Sequence, residues 1–175
     1  MKSRRTDLDG FDTKILDHLQ QDARRPLRQI SELVHLSTAA VQRRIRRLED
    51  IGIIDTVVAV LNPAKLGRYT TIIVEVTLES ERIDLLEKTR KSFLACPQVQ
   101  QCYYVTGETD FFLILTVETM EQYDEICQAL FHYDSNVRRF RTVVCMKQVK
   151  SGLRIPVAAL SDKPGGLTGG EALTG

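Results

Sequence analysis

Between Arg24 and Arg47 the chain carries seven arginines (Arg24, Arg25, Arg28, Arg43, Arg44, Arg46 and Arg47) against one acid, Glu32. That is a net +6 in 24 residues of a 175-residue protein whose formal charge is only +1. Charge confined to one segment is an electrostatic footprint for a polyanion. Four of these arginines share a stretch in which Val41, Ile45 and Leu48 recur at helical spacing. At about 100° per residue, turning those three inward leaves Ala39, Arg43, Arg46 and Arg47 on the opposite face, with Gln42 on its shoulder. Arginine forks onto guanine edges and glutamine onto adenine edges, and both also reach phosphates. Ala39 is small enough to let a helix approach a groove floor. Arg44 falls nearer the core edge, where it contacts phosphate or supports the fold. Ser37 is a good N-cap and Thr38 takes the first helical position. An arginine-rich helix face is often only a solvated face. Here it follows a two-residue turn, His35-Leu36, behind a second short helix, and that setting favours DNA. Arg24, Arg25 and Arg28 are placed for backbone contacts.

The second candidate is the run Thr106-Gly107-Glu108-Thr109-Asp110. As a bare pattern it is a turn between strands, glycine supplying positive φ and aspartate a local hydrogen bond. Other chemistry is thin. The cysteines (Cys96, Cys102, Cys127, Cys145) contain no C-x-x-C pair and read as reduced, small apolar residues. No Cys/His cluster has metal-ligand spacing, so no metal or cofactor is expected. His18, His35 and His132 form no constellation, and neither a nucleophile-His-acid arrangement nor a Gly-Lys phosphate loop occurs. No catalytic residue is assigned.

Short elements position these residues. Leu8, Phe11, Ile15, Leu16 and Leu19 predict a helix capped by Asp9, with Asp12 in its first turn. Pro26 starts a second, striped by Leu27, Ile30, Leu33 and Val34. The third begins after Ser37 and ends at Gly52. Ile53 to Leu61 reads as β-rich, completing a winged helix-turn-helix over residues 1–61. Residues 62–69, with Asn62-Pro63 and Gly67, read as a hinge. The next segment alternates cleanly through Ile72, Val74, Val76 and Leu78. Then come a helix through Ile83 and Phe93, strands Val99–Thr106 and Phe111–Val117, a helix from Met120 to Phe131, and a strand Val137–Val149. The order β-α-β-β-α-β over 70–155 is the ferredoxin-like split βαβ, so the fold class is α+β. Residues 156–175 are expected to form a disordered tail, since five of the ten glycines fall in the last 15 residues. With no apolar span and no secretory signal in the sequence, a cytoplasmic location is expected.

Leu8-Asp9…Ile15-Leu16, Leu33…Leu36-Ser37 and Val41-Gln42-Arg43-Arg44-Ile45-Arg46-Arg47-Leu48-Glu49…Gly52-Ile53-Ile54 together resemble the DNA-binding half of the leucine-responsive/AsnC regulators. Val105 to Phe111 resembles the T-G-x-x-D turn of that family's effector domain, and Val137 to Lys150 its last strand. Residues 7 to 155 are covered, in the family's domain order; the glycine-rich tail and Thr38, where a proline often sits, depart from it. The resemblance implies a transcriptional regulator and not an enzyme. It implies double-stranded operator DNA, palindromic for a two-fold protein, read through Ser37, Thr38, Ala39, Gln42, Arg43, Arg44, Arg46 and Arg47. It implies an amino acid or similar metabolite held at Thr106, Gly107, Glu108 and Asp110, with Ser135 and Asn136 lining the site. Turn amides would hold the carboxylate, and Asp110 the ammonium group. It further implies a homodimer and higher assemblies such as octamers. For the dimer surface the alternating strands offer Tyr104, Phe112, Ile114 and Val144. The alternatives are a sirohaem-decarboxylase-like enzyme on the same architecture, using His132 with Arg138 or Arg139, and a stand-alone amino-acid sensor. An arginine-rich outer helix face is needed by neither.

Overall fold

A computed structural model describes residues 8–67 and 69–157. The chain forms two compact units, one from the described parts of Met1–Ala59 and Gly152–Gly175 and the other from Val60–Ser151.

In the first unit, α1 (Gly10–Gln21) opens on a reciprocal cap. The Asp9 carboxylate accepts the Phe11 and Asp12 N–H groups at 2.9 and 2.8 Å, and the Asp12 carboxylate accepts that of Asp9 at 3.2 Å. The second helix, α2 (Leu27–Val34), ends where His35 turns left-handed at φ 57°. The third, α3 (Thr38–Asp50), is capped by Ser37 Oγ, which accepts the Ala40 N–H at 3.2 Å. Ile15, Ile30, Val34 and Val41 bury one another between the three helices, with Ile45 packed against them. A different strip of α1 and α3, Leu16 and Leu48, takes Ile54 on its side.

The expected β-hairpin wing does not form within the chain. Ile53–Leu61 contains no strand, and Val57, Val58, Val60 and Leu61 stand exposed. Their β-branched composition favours extended backbone, but a strand also needs a ladder partner, and the described residues offer none.

After a short helix, α4 (Pro63–Leu66), the second unit runs β1 (Thr70–Leu78), α5 (Ile83–Ala95), β2 (Val99–Tyr104), β3 (Phe111–Val117), α6 (Met120–Cys127), a π-helical turn Gln128–His132, and β4 (Val137–Val144). The sheet is antiparallel, in the order β2-β3-β1-β4, as the βαββαβ pattern requires. Strict alternation makes one face apolar: Ile72, Val74 and Val76 of β1 and Phe111, Leu113 and Leu115 of β3 are sealed under the helices. Phe93 of α5 meets Phe111 and Phe131 edge-on, with centroids 5.4 and 6.0 Å away. Strands β2 and β4 stop short of Thr106 and Val149.

The domain boundary differs from the sequence expectation. The chain returns to the helix-turn-helix unit at Gly152, before the expected tail. There Gln20 clamps Ile155, its amide oxygen accepting the Ile155 N–H at 2.7 Å and its Nε2 donating to the Ile155 carbonyl at 3.0 Å. Arg154 pairs with Asp17 at 2.5 Å, and Val157, 7% exposed, completes the Leu16–Leu48 cluster. Position 157 is therefore core rather than tail; Ser161–Gly175 lies outside the described residues. Val157→Asp should cost about 1.5–3 kcal/mol, the worth of a buried valine, and lower the first unit's melting temperature. Leu153→Asp, at a position 80% exposed, should leave it unchanged in the same calorimetric scan. An unshifted transition for Val157→Asp would mean that the strap contributes nothing.

Candidate nucleic-acid interface and effector turn

The helix wheel is largely realised on α3. Val41 and Leu48 are fully buried, Ile45 is half-buried, and Ala39, Gln42, Arg43 and Arg46 are exposed. Ala39, Gln42, Arg43, Arg46, Arg47 and Asp50 line a shallow open depression of about 470 Å³. Sequence reasoning missed Asp50, although the same wheel carried to the helix end puts it beside Ala39. Arg43 and Arg46 make no hydrogen bond or ion pair with any described residue, so their guanidinium groups are available to a partner.

The other two arginines are engaged. Arg44 donates to Asp9 at 2.7 Å and to Asp12 at 2.8 Å, and its guanidinium lies 5.5 Å from the centre of the Phe11 ring. Arg47 donates to the second Asp12 oxygen at 2.5 Å. Arg47 was expected to face DNA beside Arg43; its guanidinium instead bends back to a carboxylate that is 1% exposed. The hydrogen bonds that Arg44 donates to Asp12 and then to Asp9 raise its pKa above the ordinary value. Burial would raise the Asp9 carboxyl, but the Asp12 N–H and Arg44 outweigh it and hold it below the usual carboxylate range. Ser37 and Thr38 are exposed, but their hydroxyls serve the turn, Ser37 as cap and Thr38 donating to Ser31 Oγ at 3.4 Å. Arg25 shares a hydrogen bond with His18 at 2.9 Å, and Arg28 pairs with Glu32.

In the second unit the two halves of the expected effector site converge on the end of β1 from opposite sides. Asp110 Oδ2 accepts the Leu78 N–H at 2.7 Å. Across β1, Asn136 Oδ1 accepts the Ser80 N–H at 3.1 Å, and its Nδ2 donates to the Ser80 carbonyl at 3.2 Å. The β1–β4 register shifts between Thr77 and Leu78, and the two side chains satisfy backbone groups around that irregularity. Asn136 is 2% exposed. Both ends of its amide bond the Ser80 backbone, so Asn136 clamps the end of β1. Ser135, Thr106, Gly107 and Glu108 are exposed, and Gly107 at φ +126° holds a conformation that side chains disfavour. The N–H groups of Thr106, Gly107, Glu108 and Thr109 have no partner among the described residues, so this loop presents a row of free donors.

The uncovered sheet face carries Ile73, Glu75, Phe112 and Ile114, with Val143 opposite Ile73 and Arg141 opposite Glu75. Arg141 forms a close ion pair with Glu75 and lowers that carboxyl's pKa through its hydrogen bonds. Of the four residues expected here, Phe112 and Ile114 are in place. Tyr104 and Val144 pair with the inward Phe111 and Ile72 instead, so they share the helix-facing parity, and Tyr103 and Val143 take their positions. The β2–β3 register shifts between Val99 and Gln101, and a shift of one residue exchanges the faces.

His132 and the arginines of β4 do not assemble a site. His132 packs edge-on against Phe140 at 5.4 Å, on the helix-covered side, whereas Arg139 pairs with Thr77 on the open side. No group of three or more potential metal ligands occurs among the described residues, and no described helix is long and apolar enough to cross a membrane.

Comparison with known proteins matches residues 8–49 to the AsnC-type helix-turn-helix domain and residues 71–155 to the Lrp/AsnC ligand binding domain. An uncharacterised HTH-type transcriptional regulator of Sinorhizobium fredii is 36% identical over 151 residues, covering 86% of this chain and 89% of that one. The glutamate uptake regulatory protein of Zymomonas mobilis is 34% identical over 158 residues, covering 89% and 94%. Among solved structures, a Neisseria meningitidis transcriptional regulator in complex with L-Met superposes with a TM-score of 0.82 at 28% identity, covering 88% and 99% of the two chains.

Proposed function

Because this chain belongs to the Lrp/AsnC family of transcriptional regulators, we propose that it reads operator DNA with the outer face of α3 and that an amino acid or similar metabolite alters its activity or assembly. The observation that carries the DNA reading is the pair of unpartnered guanidinium groups, Arg43 and Arg46, beside Gln42 and the small Ala39 on a capped helix. Arg44 and Arg47 belong to the scaffold of that face. The protein acts in the cytoplasm as a binding protein, without catalysis.

The effector sits at the loop Thr106–Asp110, whose free N–H groups suit a carboxylate. Two relatives support an amino-acid ligand by their names alone, the glutamate uptake regulator and the L-Met complex. Thermal shift against the twenty amino acids tests this: a ligand at 100 times its Kd should add about 2.7 kcal/mol, and a screen with no shift would refute it. Asp110 has one oxygen committed to Leu78 and one left for an ammonium group. Asp110→Ala should therefore destabilise the fold by about 1–3 kcal/mol by orphaning the Leu78 N–H. Asp110→Asn keeps that acceptor and should melt near the parent, yet bind the amino acid found in the screen at least tenfold more weakly. Equal titrations for parent and Asn variant would leave Asp110 as a turn residue only.

The operating unit is a two-fold homodimer. A single helix-turn-helix covers one half-site, and a palindrome needs its mate. Ile73, Phe112, Ile114, Tyr103 and Val143 make the uncovered sheet face a suitable subunit contact.

A further inference from the structure

Asp12 is the most deeply buried ionisable side chain among the described residues, and no sequence motif singled it out for binding. It is an α1 residue, yet both its oxygens are spent on α3: one accepts Arg44 at 2.8 Å, the other Arg47 at 2.5 Å. A carboxylate so buried is strongly destabilising without a cation, so it cannot release both arginines while it stays charged. Asp9 doubles the hold on Arg44, and the Asp12 N–H and carboxylate in turn fix Asp9 through the helix cap. The result is a chain of charge-assisted hydrogen bonds from the first turn of α1 to the middle of α3.

We propose that Asp12 is a positioning residue for DNA recognition: it withholds Arg44 and Arg47 from the polyanion and fixes the roll of α3, so that Arg43 and Arg46 carry the helix's contacts. This rests on the reading that the outer face of α3 binds DNA. On the wheel Arg47 lies about 40° from Arg43 and should compete for the same phosphates. The buried carboxylate removes it from that competition. The helix then presents two mobile cations instead of four, and the two that remain belong to one strip.

The salt dependence of binding counts such contacts, because log K falls against log salt by about 0.9 for each phosphate neutralised. The full-length protein is titrated with a mixed-sequence DNA duplex across a range of salt. Asp12→Asn should steepen the slope by about 0.9 for each arginine it frees, with at least one freed per subunit. A merely structural Asp12 would weaken binding and lower the melting temperature without steepening the slope, and that result would overturn the proposal. Arg47→Gln in the otherwise unchanged protein provides a reading that does not depend on how Asp12→Asn folds. The slope should stay as in the parent; a slope shallower by about 0.9 per subunit bound would show Arg47 already on phosphate and would equally overturn it. Arg43→Gln separates the two levels of the argument. It should make the slope shallower by about 0.9 per subunit bound, whereas no change would mean that α3 does not face DNA, and the positioning role would fall with that reading.

Discussion

Replacing Arg43 and Arg46 together with alanine should reduce affinity for the operator duplex at least thirtyfold while leaving the protein folded. Each arginine able to fork onto a base edge or hold a phosphate is worth about 1–3 kcal/mol, and 1.4 kcal/mol is a factor of ten. The two lie one helical turn apart on the same strip, so their effects need not add, but the lower bound for two contacts is about 2 kcal/mol. In a two-fold dimer the substitution removes four side chains from the interface. Neither residue belongs to a core cluster or makes a hydrogen bond or ion pair with a described residue, so the melting temperature should move little. Fluorescence anisotropy at two salt concentrations is the measurement. Affinity unchanged at both would remove α3 as the reader. The same titration with Arg47→Ala is informative by contrast: that side chain is spent on Asp12, so its loss should be felt in stability before it is felt on DNA.

Ile114→Asp should convert the proposed dimer to a monomer and carry most operator binding away with it. Ile114 pairs with Ile73 on the uncovered face of the sheet, next to Phe112. An aspartate there points away from the core formed by Leu113, Leu115 and Phe93, so the subunit can fold. In the proposed dimer, two carboxylates related by the two-fold axis would enter the contact, while Arg141 of that face is already paired with Glu75. An uncompensated buried charge costs about 3–5 kcal/mol, which weakens association more than a hundredfold. Sedimentation velocity over a concentration series reads this directly, and circular dichroism checks that the monomer is folded. A variant that sediments as the parent does would place the subunit contact elsewhere. Phe111→Asp, by contrast, strikes the helix-covered face and should abolish folding, which distinguishes the two sides of the sheet.

The amino-acid sequence by itself determined the elements, their order and their apolar faces. Asp9, Ser37 and Gly52 mark helix ends because each supplies a local interaction, a side-chain cap or a positive φ, that needs no distant partner. Ile72, Val74, Val76 and Leu78 gave the inward face of β1 because side-chain direction in a strand repeats every two residues. The outward position of Arg43 and Arg46 was legible for the same reason, since a helix wheel fixes where the Cα–Cβ bond points. It does not fix where a long side chain ends. Arg47 leaves the helix on the reader face and finishes on Asp12, and only the packing of α1 against α3 brings that carboxylate within reach. Tyr103 and Tyr104 could not be assigned to faces from their own strand, because the register shift after Val99 is set by pairing with β3. Asp110 and Asn136 both read as effector-site residues, yet one Asp110 oxygen and the Asn136 amide bond the backbone at the end of β1, which strand order places between them. Val157 sits at the edge of a polar, glycine-rich segment, and its burial depends on a groove between Leu16 and Leu48 that two separate helices create. Ile53–Leu61 shows the converse: strand-forming residues without a neighbouring strand make no sheet, because the hydrogen bonds that define one are made across space and not along the chain.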